Sequence, residues 1–502
     1  MPLSQIINKG DVEMTKFFKS ISTTIIFIFV MYLLGCSTDN LSQDKVSNID
    51  ELMTTFSENG QFNGSVLVAE EGKVIYKKGF GFANMEWNIP NKPDTKFRIG
   101  SITKQFVSMQ IMQLVEEGKI NLDSKLSDYL PNYRKDTGEK ITIHHLLTHT
   151  SGIPSYTGIP GFWTDSTRNH YQIDYMVKNF HSGDLEFEPG SKYNYNNTGY
   201  YLLAVIIERV TGKSFKENLQ ERILNPLQMN NSGIDRNEEI LENKAAGYMK
   251  RLTGMVKDPY FYMPNALGAG NMYSTVEDLY LWDRALHSED LLSDKYKDIM
   301  FTPFLNNYAY AWGNRKIALG ESTDSVQVIS HSGGINGFNT IIYRLIKNNH
   351  LIVIFNNTGG TNLGGVSRAI TNILYDKPYE LPKISIAELL GKTIMNRDIE
   401  SAIKQYHDFK TNQQDVYNFA ESELNILGYQ LLGIEKVKEA IDIFKLNVEE
   451  FPEASNPYDS LGEAYMISGD KELANKNYAK SLELNPENTN AILMLKKISE
   501  MK

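Results

Sequence analysis

The chain has 502 residues, with 61 Asp and Glu against 51 Lys and Arg, a formal charge of −10. That acidic balance argues against nucleic acid or an anionic bilayer surface as partner. The length suggests two or more domains with room for a substantial core, and the single cysteine, Cys36, excludes a disulfide framework.

Near the start, Lys16 and Lys19 precede an apolar run from Ile21 to Leu34, too short and wrongly flanked for a membrane span. It ends in Leu33-Leu34-Gly35-Cys36, which resembles a bacterial lipobox. Residues 1–35 are therefore expected to be a lipoprotein signal peptide, with Met14 an alternative start. Cleavage would leave Cys36 lipidated, anchoring the protein to the membrane of a bacterial envelope, with residues 36–49 as a polar tether. Next, Gly64 to Ala69 and Lys73 to Lys78, separated by Glu70-Glu71-Gly72, read as a hairpin.

Ser-x-x-Lys occurs five times, at Ser42, Ser101, Ser401, Ser468 and Ser499, so the motif alone selects nothing. Only Ser101 opens a stretch in which Ile102, Phe106, Met109, Met112 and Val115 recur at helical spacing before Gly118. A serine in that first turn has a backbone N–H free of the helix ladder, and Lys104 lies on the same face within reach of its oxygen. Tyr-x-Asn occurs once, at Tyr195 and Asn197, in a polar loop before an apolar helix from Tyr201 to Val210 ended by Gly212. His-x-Gly occurs at His181 and at His331; only His331 follows a strand pattern, and its Gly333-Gly334 would let a ligand backbone approach closely. His145 and His149 are four apart, but no Glu follows the first as in H-E-x-x-H, so neither metal nor cofactor is expected.

Strand patterns at Val326 to Ser330, Thr340 to Ile346 and Leu351 to Phe355 precede a helix around Val366 to Tyr375. The simplest assembly is one antiparallel sheet made from both ends of residues 50–376, with a helical lobe inserted between them. After Pro378 and Pro382, in a linker at 377–385, Gly428, Ala440, Phe444 and Pro452 recur 34 residues later as Gly462, Ala474, Tyr478 and Pro486. That is the tetratricopeptide period. With Ala402 and Tyr406 as a degenerate first repeat, residues 386–502 are expected to form an all-α solenoid that binds a protein or peptide, packs on the first domain or supports a dimer.

FRIGSITK, ITIHHLLTHTSGIP, EPGSKYNYNNTGYYLL, GAGNMYSTVEDLYLW and HSGGINGF, in that order, closely resemble the serine beta-lactamase and penicillin-binding-protein superfamily. The relevant branch holds class C beta-lactamases, D-alanyl-D-alanine carboxypeptidases, D-aminopeptidases and esterases. The resemblance implies an α+β fold with the active site between sheet and lobe. It also implies that Ser101 is acylated, that Lys104 and Tyr195 share the proton transfers, and that Asn197 orients Lys104 and binds the substrate. The Ser101 and Gly334 amides would form the oxyanion hole, and His331, Gly333 and Gly334 would bind the substrate. Typical beta-lactamases carry Lys-Thr-Gly where this chain has His331-Ser332-Gly333, so a permanent cation is replaced by a largely neutral imidazole. The expected activity is acyl-enzyme hydrolysis of a D-amino-acid peptide, amide or small ester. The rivals are a true beta-lactamase and a catalytically weak binding protein that works through its repeats.

Overall fold

The computed structural model describes residues 44–501; the expected leader, Cys36 and the first part of the tether lie outside them. Residues 44–58 are helical, so 44–49 already belong to the folded body rather than to a polar tether. Burial is the reason. Ile49, Leu52 and Met53 are completely buried against one face of the sheet, and Lys45 donates to the Leu374 carbonyl at 2.9 Å and pairs with Glu70 at 2.8 Å.

The hairpin forms from β1 (Gly64–Glu70) and β2 (Lys73–Phe80). The late strands are β3 (Gly313–Ala318), β4 (Ser325–Ile335), β5 (Phe338–Leu345) and β6 (His350–Asn356). Together they make a six-stranded antiparallel sheet in the order β3-β4-β5-β6-β1-β2. The two ends of the domain meet where β1 pairs with β6, Gly64 opposite Asn356. These central strands are buried along nearly their whole length, which is why they read as unbroken apolar runs. Edge strand β2 instead turns Lys73, Lys77 and Lys78 outward, which discourages pairing with another chain.

One face of the sheet packs on residues 44–58 and on α3 (Leu363–Leu374). The other packs on the inserted lobe, whose main helices are α1 (Thr103–Glu116) and α2 (Asn197–Thr211). The β3–β4 pairing stops at Gly313 opposite Ser330, while β4 stays paired to β5 as far as Ile335. His331 to Ile335 therefore present a free strand edge on the side where the lobe begins.

Beyond this domain the chain is an all-α solenoid of α4 (Ile386–Asn396), α5 (Ile399–Asn412), α6 (Glu421–Leu432), α7 (Val437–Glu450), α8 (Ser455–Ser468), α9 (Lys471–Leu484) and α10 (Thr489–Glu500). The repeated glycines have a packing cause. A Cβ on Gly428 would lie 2.3 Å from the Phe444 ring, and one on Gly462 would lie 3.1 Å from the Tyr478 ring. The hairpin of Tyr248–Arg251 and Gly254–Lys257 grips the start of the solenoid: Leu252 packs into its core beside Gly391, and Lys250 pairs with Glu388. We expect Gly428→Ala to cost about 1–3 kcal/mol through overpacking, more than the roughly 1 kcal/mol that alanine gains in helix propensity. Gly462→Ala should cost less, and urea unfolding of the two variants checks the order.

Candidate active site

Ser101 occupies a single 3-10 turn, Gly100–Ile102, that leads into α1. Gly100 takes φ +51°, and a Cβ there would lie 2.7 Å from the Gly334 nitrogen, so only glycine fits. This approach sets the Ser101 turn against the free edge of β4, beside the Gly334 amide. The Thr340 hydroxyl on β5 ties the two together by donating to the Ile99 carbonyl at 2.9 Å.

Lys104 is completely buried. Its Nζ lies 3.0 Å from Ser101 Oγ, 2.8 Å from Asn197 Oδ1 and 2.7 Å from the Ala269 carbonyl. The Asn197 amide group donates to Thr157 Oγ1 at 3.0 Å, which turns its Oδ1 toward the lysine. Burial holds the Lys104 ammonium well below its ordinary pKa of 10.5. Asn197 Oδ1 and the Ala269 carbonyl can only accept, so they take two N–H bonds of Lys104. The remaining position points at Ser101. In the neutral amine it is a lone pair, placed to accept the serine proton.

Tyr195 lies on the other side of the nucleophile, its ring centroid 5.0 Å from Lys104 Nζ and its hydroxyl turned to Ser101. Burial raises the phenol's pKa, so the group holds its proton and acts as a donor. His331 is buried at the start of the free β4 edge. Its Nε2 accepts from the Tyr308 hydroxyl at 2.9 Å and its Nδ1 donates to the Ser332 carbonyl at 2.6 Å. Burial first, and the nearby Lys104 charge second, push its pKa down to about 3, so the imidazole is neutral at pH 7.

Ser101, Lys104, Tyr195, Asn197, His331, Gly333 and Gly334 thus converge on one cleft between sheet and lobe. The rival motifs stay apart: His181 is buried against Tyr156 and Tyr201, Ser401, Ser468 and Ser499 lie in the solenoid, and Ser42 is outside the described residues. Tyr193 packs its ring 5.6 Å from that of Tyr308. His145 Nδ1 accepts from the Thr142 N–H at 3.2 Å as part of a helix cap. Three participants escaped the sequence reading in this role, namely the Ala269 carbonyl, His149, weighed there only as a metal ligand, and Tyr308. The segments GAGN and HTSG that hold the first two were visible as family stretches, but a backbone carbonyl has no residue signature and Tyr308 sits in irregular chain.

The Beta-lactamase family model matches residues 49–376. The chain belongs to the beta-lactamase family. It is a serine hydrolase of the beta-lactamase and penicillin-binding-protein type, with that family's α+β fold. Penicillin-binding protein 4* of Bacillus subtilis is 32% identical over 366 residues, 68% of this chain and 79% of that protein. Among solved structures, the octameric penicillin-binding protein homologue from Pyrococcus abyssi matches with TM-score 0.60 and 29% identity, over 69% of this chain and 81% of that one. The D-amino acid amidase from Ochrobactrum anthropi SV3 matches with TM-score 0.56 and 25% identity, over 66% and 98% of the two chains. The beta-lactamase family match ends at residue 376, before the solenoid begins.

Proposed function

We infer that this protein hydrolyses amides or esters of the D-aminoacyl or small acyl kind through an acyl-enzyme on Ser101. The observation that carries the substrate class is the neutral His331 where typical beta-lactamases hold a lysine. A site without that cation gives no charge-assisted hydrogen bond to the carboxylate of a beta-lactam, an interaction worth about 1.5–3 kcal/mol. The resemblance to a D-amino acid amidase supports the same class.

In this reading Lys104 is the general base. Its lone pair takes the Ser101 proton as Oγ attacks the carbonyl carbon, and the Ser101 and Gly334 amides receive the oxyanion. Tyr195, still protonated, donates to the leaving nitrogen or oxygen as the bond breaks and recovers its proton from Lys104. Water then attacks the acyl-enzyme by the reverse route. Asn197 holds Lys104 in line through the 2.8 Å hydrogen bond.

We place the enzyme in the bacterial envelope, lipid-anchored at Cys36, with the solenoid as a tetratricopeptide-type module. The lipobox-like Leu33 to Cys36 and the 34-residue recurrence support these two readings. The test is a panel of a D-alanyl anilide, a short p-nitrophenyl ester and a chromogenic cephalosporin, with Ser101→Ala as control. We expect kcat/KM for the anilide or ester to exceed that for the cephalosporin by about 10- to 100-fold, the weight of the missing charged contact. Preferred turnover of the cephalosporin would overturn the reading.

A further inference from the structure

His149 belongs to no catalytic motif, yet both of its ring nitrogens are hydrogen-bonded beside the nucleophile. It lies just past the short helix Ile143–Leu147 and its cap Thr148, with φ +58°. This left-handed position at a helix end is usually filled by glycine, and histidine is one of the few other residues enriched there. Here it is held on two sides. The His149 carbonyl accepts from the Asn194 N–H at 2.9 Å, and its Nδ1 accepts from the Asn196 N–H at 3.0 Å. One residue thereby holds the backbone on both sides of Tyr195, and its ring lies against the Tyr195 ring at 4.2 Å between centroids.

Its other nitrogen faces the sheet. His149 Nε2 lies 3.1 Å from the Tyr308 hydroxyl, which in turn lies 2.9 Å from His331 Nε2. Every proton in this chain has one place. The Asn196 amide can only donate, so His149 Nδ1 is bare and its Nε2 carries hydrogen. At the far end the Ser332 carbonyl can only accept, so His331 carries hydrogen on Nδ1 and accepts at Nε2. Tyr308 must accept from His149 and donate to His331. Both ends are backbone groups that do not titrate, so the chain delivers no proton to Ser101. Instead it joins the Tyr195 loop of the lobe to the β4 edge of the sheet.

We propose that His149, through Tyr308, is a positioning residue that fixes Tyr195 and His331 relative to each other across the cleft. This rests on the reading of Ser101 as nucleophile and Tyr195 as the proton donor to the leaving group. Such a residue acts on the geometry of bond breaking rather than on substrate affinity.

The experiment compares His149→Ala, His149→Asn and Tyr308→Phe with wild type in the full chain, using rates per Ser101 titrated by the acyl burst. In parallel, 15N NMR of labelled histidines in wild type and Tyr308→Phe reads the tautomers without any substrate. Asparagine is the conservative variant, because its Oδ1 can replace Nδ1 as acceptor and it tolerates the left-handed backbone. We expect His149→Ala to lower kcat by about 100-fold, the cost of misplacing a reacting group by about 1 Å, with KM within about threefold. His149→Asn should recover at least about tenfold of that loss, because it keeps the hold on Asn196. Tyr308→Phe, which keeps the ring, should lower kcat about tenfold and shift the 15N signal of His331 Nε2 as it loses its hydrogen bond, while the Ser332 carbonyl keeps hydrogen on Nδ1. The NMR of wild type should show hydrogen on Nε2 of His149 and on Nδ1 of His331. A His149→Ala enzyme within about twofold of wild type, a loss confined to KM, an asparagine variant no better than alanine, or the opposite tautomers would each overturn the proposal. Should wild type itself show no Ser101-dependent turnover, the functional reading fails, and the wild-type tautomers and the His331 Nε2 shift in Tyr308→Phe alone decide this one.

Discussion

Replacing Lys104 with methionine should lower kcat by about 10³–10⁵-fold and, at neutral pH, leave the folded protein more stable than wild type. Both halves come from the same burial. The ammonium is completely removed from water, and its neighbours within hydrogen-bonding reach are a hydroxyl and two carbonyl oxygens, with no carboxylate to offset the charge. Folding therefore opposes protonation, which yields the lone pair that catalysis needs and costs stability. Methionine fills a similar volume without a charge to desolvate. The sign of the pH effect follows. Lys104 has a folded-state pKa well below its ordinary 10.5, so between those two values the unfolded chain binds the extra proton. Stability contributed by this group therefore rises with pH across that window and levels off above 10.5. The excess stability of Lys104→Met over wild type should shrink as pH rises toward 10.5, whereas tyrosine titration is common to both proteins and cancels. Urea unfolding of both at neutral and alkaline pH measures it. In wild type, kcat/KM should rise with pH as Lys104 loses its proton and reach its plateau below 10.5. A methionine variant that is less stable at every pH would mean that the lysine is held by its hydrogen bonds rather than strained by burial.

How much of this was legible in the sequence depended on how local each feature is. The Ser101–Lys104 contact was readable because a three-residue spacing on a helix start brings the two side chains to one face. The solenoid was readable because each repeat poses the same local problem, a glycine under an aromatic ring, so Gly428 and Phe444 reappear as Gly462 and Tyr478. Helix starts hidden by capping asparagines were read late. α2 begins at Asn197 rather than Tyr201, because Asn196 accepts from the Gly199 N–H at 2.9 Å inside what looks like a polar loop. α3 likewise begins at Leu363, after the capping Asn362 and with Gly364 and Gly365 in its first turn, rather than at Val366. Strand β3 gave no signal, since Asn314, Arg315 and Lys316 of an edge strand look to water as much as to the sheet. The His149 chain and the Ala269 carbonyl were invisible for another reason: they depend on contacts across 47 to 165 residues that no spacing rule encodes.

The two glycines after Ser332 should prove unequal, and the difference tests how the oxyanion site is built. A Cβ on Gly333 would lie 1.9 Å from the Ile99 carbonyl oxygen and 2.5 Å from Thr340 Oγ1. Neither can yield cheaply: Ile99 is backbone two residues before the nucleophile, and the same Thr340 hydroxyl is bonded to that carbonyl at 2.9 Å. Gly333→Ala must therefore push β4 away from the Ser101 turn. We expect a loss of about 2–4 kcal/mol in stability and, in the fraction that folds, at least about 100-fold in kcat, because the Gly334 amide moves off the oxyanion. Gly334 is the opposite case. A Cβ there meets nothing within 4 Å, and its φ is not in the left-handed region. Its part is the N–H, which alanine keeps, so Gly334→Ala should stay within about threefold of wild-type kcat and near wild-type stability. Thermal unfolding and burst-corrected rates of the two variants separate the cases. Similar losses in both would mean that the free β4 edge tolerates no added bulk against the substrate. Similar tolerance in both would mean that the Ser101 turn and β4 can part without harm, and that the tight contact at Gly100 does not set the oxyanion geometry.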